Sequence, residues 1–394
     1  MADANAFRLV AETILKDKDI KIIVVSAGGK TSRYKKTTDM LLDAYGALKG
    51  GQSPRKNLSE VAERVCELKR QLRLKKTPEN ELMKIENETD CGRAPDFLLS
   101  RGERIYSELF AEFIGMPFID AKELYKFDEN GNLNSEFTYY SLRRAFKEKG
   151  TFVTGGFYGE DENGFIRTFS RGGSDVSGAI AARAVTADVF LDYTDVNGVY
   201  KYDPRRIKNA KPVDELSYSQ IRRLGEFGAS VLHPDSVLPL SEKGIPAVIK
   251  NTFEPSAPGT RISAYAPSDV FAVAATDNLF YVRLEKPNCG KSIAEKFSGD
   301  INAVALTVTG DGLEAVCKER LPDKIGFGQE VGEYIENDVT LFYATAGDKG
   351  RKFVSEAAER LKPLYFGSLS DGYFLAVRGR EKAIIESVIE KYIV

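Results

Sequence analysis

The run Ile20-Lys21-Ile22-Ile23-Val24-Val25-Ser26-Ala27, ending in Gly28-Gly29-Lys30-Thr31, constrains the fold more than any other stretch of the chain. A β-branched, nearly unbroken apolar segment has no polar face to offer water, so it reads as a strand buried on both sides. Such strands belong to parallel sheets, which need crossover helices. Helical patterns do flank it: residues 1–16 place Phe7, Val10, Ala11 and Ile14 at helical spacing, and residues 37–73 are mostly helical. A polar glycine loop at a strand end is where open α/β sheets hold ligands. Lys30 and Thr31 suit a phosphate or a carboxylate, although the spacing is not that of a full phosphate loop.

The same arrangement recurs. Thr151-Phe152-Val153-Thr154 runs into Gly155-Gly156-Phe157-Tyr158-Gly159, and Arg171-Gly172-Gly173-Ser174-Asp175 opens a helical run of small residues over 176–182. Ser174 or Asp175 suits the N-cap, the exposed N–H groups behind it favour an anion, and Arg171 adds a full positive charge. An ordinary loop before a capped helix has the same residues. Residues 187–192 read as a strand that enters Tyr193-Thr194-Asp195-Val196-Asn197-Gly198-Val199-Tyr200-Lys201-Tyr202-Asp203-Pro204-Arg205. There an aromatic ring can pack a base, a carboxylate can hold a ribose or a metal, and Arg205 can bind phosphate. Residues 246–252 form a strand carrying Lys250 near its end. Residues 96–113 read as one helix in which Glu103 follows Gly102 between Arg101 and Arg104, as a ligand group or as a solvated helix start. Residues 118–120 read as a short strand and 128–132 as a turn.

Helix and strand alternate to about residue 263, which predicts an α/β domain over 1–263 with a mainly parallel sheet covered on both faces. Beyond it the grain changes. Strands at 271–284, 301–308, 339–344 and 373–377 alternate with helices at 292–297, 313–320, 351–361 and 381–392, predicting two small α+β units over 264–394.

Composition excludes several classes. A net charge of -2 with no basic arm argues against nucleic acid as a partner. No apolar run approaches the roughly 20 residues of a membrane span, and no basic-then-apolar leader is present, so a cytoplasmic protein is expected. The four cysteines (Cys66, Cys91, Cys289, Cys317) lack metal-ligand spacing and are expected to be reduced. The single histidine, His233, rules out a two-histidine metal site and reads as a core or turn residue. Cys289-Gly290-Lys291-Ser292 ends like a phosphate loop, but Glu285 stands where its first glycine belongs.

Several motifs in order resemble the aspartate kinases of the amino-acid kinase family: Arg171-Gly-Gly-Ser-Asp175, Thr194 to Arg205, Phe227-Gly-Ala-Ser-Val-Leu-His-Pro234 and Asn251 to Thr260. Val25 to Thr31 and Ser100-Arg-Gly-Glu-Arg104 resemble the family's earlier motifs. The resemblance implies a three-layer α/β/α kinase domain followed by paired ACT-like (ferredoxin-like) regulatory modules. It implies phosphorylation of the L-aspartate side-chain carboxylate by ATP with Mg²⁺, the first step toward lysine, threonine and methionine. Carried over residue by residue, Glu103 and Arg171 would hold aspartate, with Thr31 and Ser174 near it, and Asp175 would organise the phosphate-binding groups. Thr194, Asp195, Tyr200, Arg205 and Lys250 would line the nucleotide, and no side chain is assigned to a metal. An amino-acid effector (lysine, threonine or both) and a homodimer or higher oligomer are further expectations. A silent regulatory protein and a kinase of glutamate, acetylglutamate or a nucleotide are the competing readings.

One departure stands out. The family opens with a strand and Lys-Phe-Gly-Gly-Ser/Thr-Ser, whose lysine reaches the transferring phosphate, whereas Met1-Ala2-Asp3-Ala4 resembles the residues that follow it. The expectation is that Met1 is an internal methionine of a longer natural chain, and that a chain truly starting there would be poorly active.

Overall fold

The computed structural model describes residues 1–85, 95–169, 173–229, 231–267, 269–285, 303–308, 311–319 and 332–393. Arg171, Cys91, Cys289, the 289–292 stretch and the expected helix at 292–297 lie outside the described residues. The chain packs as two compact units: Met1–Asp195 with Asp235–Ala257, and Val196–Pro234 with Pro258–Val394. The packing therefore groups residues 196–234 with the C-terminal part rather than following a single cut at residue 263.

In the first unit, α1 (Ala4–Lys16) starts where the Asp3 carboxylate accepts the Ala6 N–H at 2.9 Å. Next come β1 (Ile22–Val25), α2 (Thr37–Lys49), α3 (Arg55–Leu72), α4 (Asp96–Ile114), α5 (Ser135–Lys149), β2 (Phe152–Gly155), α6 (Gly173–Val185), β3 (Phe190–Thr194) and β4 (Ala247–Asn251). Strands β1 and β2 pair in parallel with Ile22 opposite Phe152 and Ile23 opposite Val153, and β3 and β4 likewise pair in parallel. Because successive strand side chains point to opposite faces, Ile23 and Val153 enter one core with Phe7, Leu41, Val65 and Phe110 from α1 to α4. Ile22 and Phe152 enter another with Leu142 and Ile180 from α5 and α6. That alternation is the three-layer α/β/α arrangement. Two expectations shift. The 118–120 strand shrinks to one bridge, Phe118 to Val153, because Asp120 instead caps the single turn Ala121–Leu124. Helix α6 already begins at Gly173, so Ser174 and Asp175 sit inside its first turn rather than at the N-cap.

The second unit holds a six-stranded antiparallel sheet: β5 (Val273–Glu285), β6 (Ala303–Val308), β7 (Gly312–Cys317), β8 (Gly332–Thr345), β9 (Tyr365–Leu369) and β10 (Gly372–Arg378), in spatial order β6-β7-β5-β8-β10-β9. Helices α7 (Asp348–Arg360) and α8 (Lys382–Ile393) bury Phe353, Ala357, Ile385 and Ile389 against it, an α+β arrangement. The helix expected at 313–320 is the strand β7. Leu313 and Ala315 pair with Leu284 and Val282 of β5, and this pairing overrides the helical preference of Leu-Glu-Ala. Tyr202, Ile207 and Ala210 join the same core, so the 199–213 segment is built into this unit. His233 is half-buried between the bend at Val231 and Leu232 and the helix Pro234–Ser241. No helix among the described residues is long and apolar enough to cross a membrane.

Candidate active site

The glycine loops of the first unit gather at the carboxyl ends of its strands, the usual ligand position in such sheets. Val25 ends β1 opposite Gly155 of β2, and the Gly156 N–H donates to the Val25 carbonyl at 3.2 Å. The loop after β2 then presses on the start of α6. A Cβ on Gly156 would lie 2.6 Å from Ser174 Cα, and one on Gly173 would lie 2.6 Å from Phe157 Cα. Only glycine allows two backbones this close. Phe157 takes a left-handed φ of 75°, held by its N–H on Ser177 Oγ at 3.0 Å. The contact fixes the first turn of α6, the positive end of its dipole, beside the strand ends.

Glu103 is the most telling side chain. It is 6% exposed, and its Oε1 accepts the Ala27 N–H at 3.3 Å. Its Oε2 is buried without a hydrogen-bond partner among the described residues. The neighbouring arginines do not serve it. Arg101 donates to Glu81 at 3.0 Å and to the Phe97 carbonyl at 3.1 Å, and Arg104 donates to Asp120 at 3.1 Å and Glu108 at 3.2 Å. Burial therefore dominates and pushes the Glu103 carboxyl up to about 7, against the lowering by backbone N–H bonds and by the Arg101 charge. A buried carboxylate with an orphan oxygen is built to receive a cationic donor.

Thr31 lies half-buried in the loop after β1. Its Oγ1 accepts the N–H groups of Tyr34 at 2.9 Å and Arg33 at 3.3 Å, which leaves its hydroxyl proton to donate. Ser174 and Asp175 stand half-buried in the first turn of α6. Lys250 on β4 is in register with Tyr193 of β3, and Thr194, in register with Asn251, donates to Asp195 at 3.3 Å. Tyr200 and Arg205 are described with the second unit. Tyr200 is half-buried against that unit's core, and the exposed Arg205 pairs with Asp203 at 2.8 Å. Thus Thr31, Glu103, Ser174, Asp175, Thr194, Asp195 and Lys250 come from one compact unit, and Tyr200 and Arg205 from the other.

Sequence reasoning gave no role to Asp192. Burial first, and the Asp175 carboxylate second, hold its proton well above the ordinary carboxylate range. The available signal was a carboxylate inside the apolar strand Phe190–Thr194, where an unpaired charge is costly.

The family model for the amino acid kinase family matches residues 1–251. The chain is 32% identical over 270 residues to aspartokinase 3 of Bacillus subtilis, covering 64% of this chain and 59% of that protein. It therefore spans about three-fifths of the length of that relative (59%). Among solved structures, the aspartate kinase of Clostridium acetobutylicum, an allosteric enzyme, superposes with a TM-score of 0.84 at 26% identity, over 100% of this chain and 97% of that one. The aspartokinase III of E. coli, solved with aspartate and ADP, shares the fold with a TM-score of 0.77 at 21% identity, over 98% and 95% of the two chains. With the family model covering well over half of the sequence, and with strand-end glycine loops around a buried carboxylate, the chain belongs to the amino acid kinase family.

Proposed function

We propose that the protein is an aspartate kinase, transferring the γ-phosphoryl group of ATP to the side-chain carboxylate of L-aspartate. The observation that carries this reading is the orphan Oε2 of Glu103, a buried acceptor in the unit that also carries the strand-end glycine loops and the first turn of α6. Such a site suits an amino acid: the carboxylate takes the ammonium, and the donors take the carboxylates and phosphates. In this reading Glu103 holds the ammonium and Arg171 a carboxylate, while Thr31 gives its hydroxyl proton to a substrate oxygen and Ser174 lies beside it. The first turn of α6, carrying Asp175, aligns the phosphates. Lys250, Thr194 and Asp195 line the nucleotide, and the resemblance assigns Tyr200 and Arg205 the same role.

The chemistry asks little more. A carboxylate is ionised at neutral pH and is already nucleophilic, so no strong general base is required. Its oxygen bonds to the γ-phosphorus as the bond to the β–γ bridging oxygen breaks, and ADP leaves with that electron pair. The protein contributes alignment and fixed donors facing the developing charge. Mg²⁺ entering with ATP would supply charge neutralisation. Effector binding by lysine or threonine and a homo-oligomeric assembly belong to the same proposal, supported by the antiparallel sheet and paired helices of the second unit.

The test is ADP release from MgATP with L-aspartate, beside L-glutamate, N-acetylglutamate and UMP. Turnover with aspartate, lost in Glu103→Gln and Arg171→Ala, is expected. Turnover with another acceptor alone would refute the assignment, and turnover with none would favour a silent regulatory protein of the same fold.

A further inference from the structure

The loop from Gly28 to Thr37 carries Lys30 and Thr31, and it makes few bonds of its own. The Thr37 N–H closes its base on the Gly28 carbonyl at 2.9 Å, and the Thr31 N–H reaches the Tyr34 carbonyl at 2.9 Å. The carbonyls of Gly29 and Lys35 are satisfied from elsewhere. Arg64 of α3 is 3% exposed, and its guanidinium bonds both, Nη1 to Lys35 at 2.7 Å and Nη2 to Gly29. Nη2 also donates to the Ala2 carbonyl at 3.0 Å. The same group lies 5.7 Å from the centre of the Tyr34 ring and 5.8 Å from that of Tyr106. One turn further along α3, Glu67 accepts from Arg33 at 2.9 Å and from the Tyr34 hydroxyl at 3.0 Å, and Glu63 takes the other arm of Arg33 at 2.7 Å.

The geometry points to Arg64 and Glu67 as positioning residues that clamp the Gly29–Lys35 loop onto α3 and so hold Thr31 in place for the substrate. A planar fork that spans two carbonyls fixes both ends of the loop at once, which a lysine point charge cannot do. Fixing the ends also fixes the turn between them, since Thr31 Oγ1 is already committed to the Arg33 and Tyr34 N–H groups. Neither residue touches the substrate in this scheme. Their effect passes through the loop, and the link to aspartate rests on the reading under Proposed function.

Two measurements on the full chain separate the clamp from that reading. The first is amide hydrogen exchange of residues 30–35 in Arg64→Gln, Arg64→Lys and Glu67→Gln, with α3 and α4 amides as the control for folding. The second is the KM for aspartate and the calorimetric affinity for L-aspartate and for ADP. Faster exchange confined to the loop is expected in Arg64→Gln and Glu67→Gln, with a smaller change in Arg64→Lys. The aspartate KM should rise about tenfold while ADP affinity changes less than about twofold. Glu67 is partly exposed, so its variant keeps the test alive if Arg64→Gln fails to fold. Loop exchange unchanged in a folded variant overturns the clamp, and a loosened loop with unaltered aspartate binding overturns its positioning role. Wild-type protein that binds no aspartate refutes the functional reading instead, and the exchange data still decide whether the clamp exists.

Discussion

A buried carboxyl that waits for a cation is an unstable arrangement until the cation arrives, and Glu103 makes that cost measurable. Burial lifts its proton affinity from the ordinary glutamate value of 4.5 to about 7. Between these values the folded protein holds a proton that the unfolded chain has released, so stability falls as pH rises through that window. Above pH 7 the loss is full, roughly 3 kcal/mol. Glu103→Gln, neutral at every pH, should therefore be more stable than wild type above pH 7 and lose that advantage on acidification toward pH 4.5, as read by urea unfolding at several pH values. A wild-type and variant difference independent of pH would contradict this account. Activity should move the other way: kcat/KM for aspartate is expected to fall on the acid side with an apparent pKa of about 7, while kcat stays flatter.

At the scale of elements, the strand-end loops are held by contact rather than by their own bonds. Gly156→Ala would drive a methyl group into the Ser174 backbone. The expected result is a loss of about 1–3 kcal/mol in stability and, with Ser174 and the first turn of α6 displaced, about a hundredfold loss in kcat/KM. Unchanged kinetics would mean that the loop and helix move apart without consequence. The same elements show what a sequence can and cannot disclose. The run at 20–31 announces a buried parallel strand and its loop because burial on both faces leaves a continuous apolar pattern, and β1 lies within it. Leu313–Cys317 misleads because Leu-Glu-Ala favours a helix locally, and only the partners on β5 make it β7. Glu103 is legible as a residue type, yet its orphan oxygen is not, since Arg101 and Arg104 beside it in sequence face other carboxylates. Arg64 is invisible for the same reason. A helix arginine reads as solvated until the loop that covers it is known.

Across the whole molecule, the second unit is assembled from two separated stretches of chain, and its ion pairs sew them together. Asp277 accepts from Arg206 at 2.6 Å, from Lys382 at 2.8 Å and from Thr340 at 2.8 Å, while Tyr202 donates to Glu386 at 2.9 Å. Burial alone would raise the Asp277 carboxyl, but the Lys382 and Thr340 bonds with the Arg206 and Lys382 charges together outweigh it and hold it below the ordinary value. Asp277→Asn should cost about 1–3 kcal/mol at neutral pH. The deficit should shrink as acid titrates the wild-type carboxylate below pH 3.8, where a depressed group loses its contribution. Hydrogen exchange should show amides of 199–213 loosening together with those of α8. Loosening of one stretch alone would separate what the packing joins. The passage of the chain out of the first unit after Asp195 and back at Asp235 has a further consequence, for how such a protein can be divided. Its second unit is not a cassette that a gene can gain or shed at one junction. A chain stopped at Ser263 would keep Tyr202, Ile207 and Ala210 and lose Phe271, Phe353 and Ile385, which bury them. A descendant without the C-terminal part would have to rewrite residues 199–213 as well, because a bare stop leaves their apolar side chains uncovered.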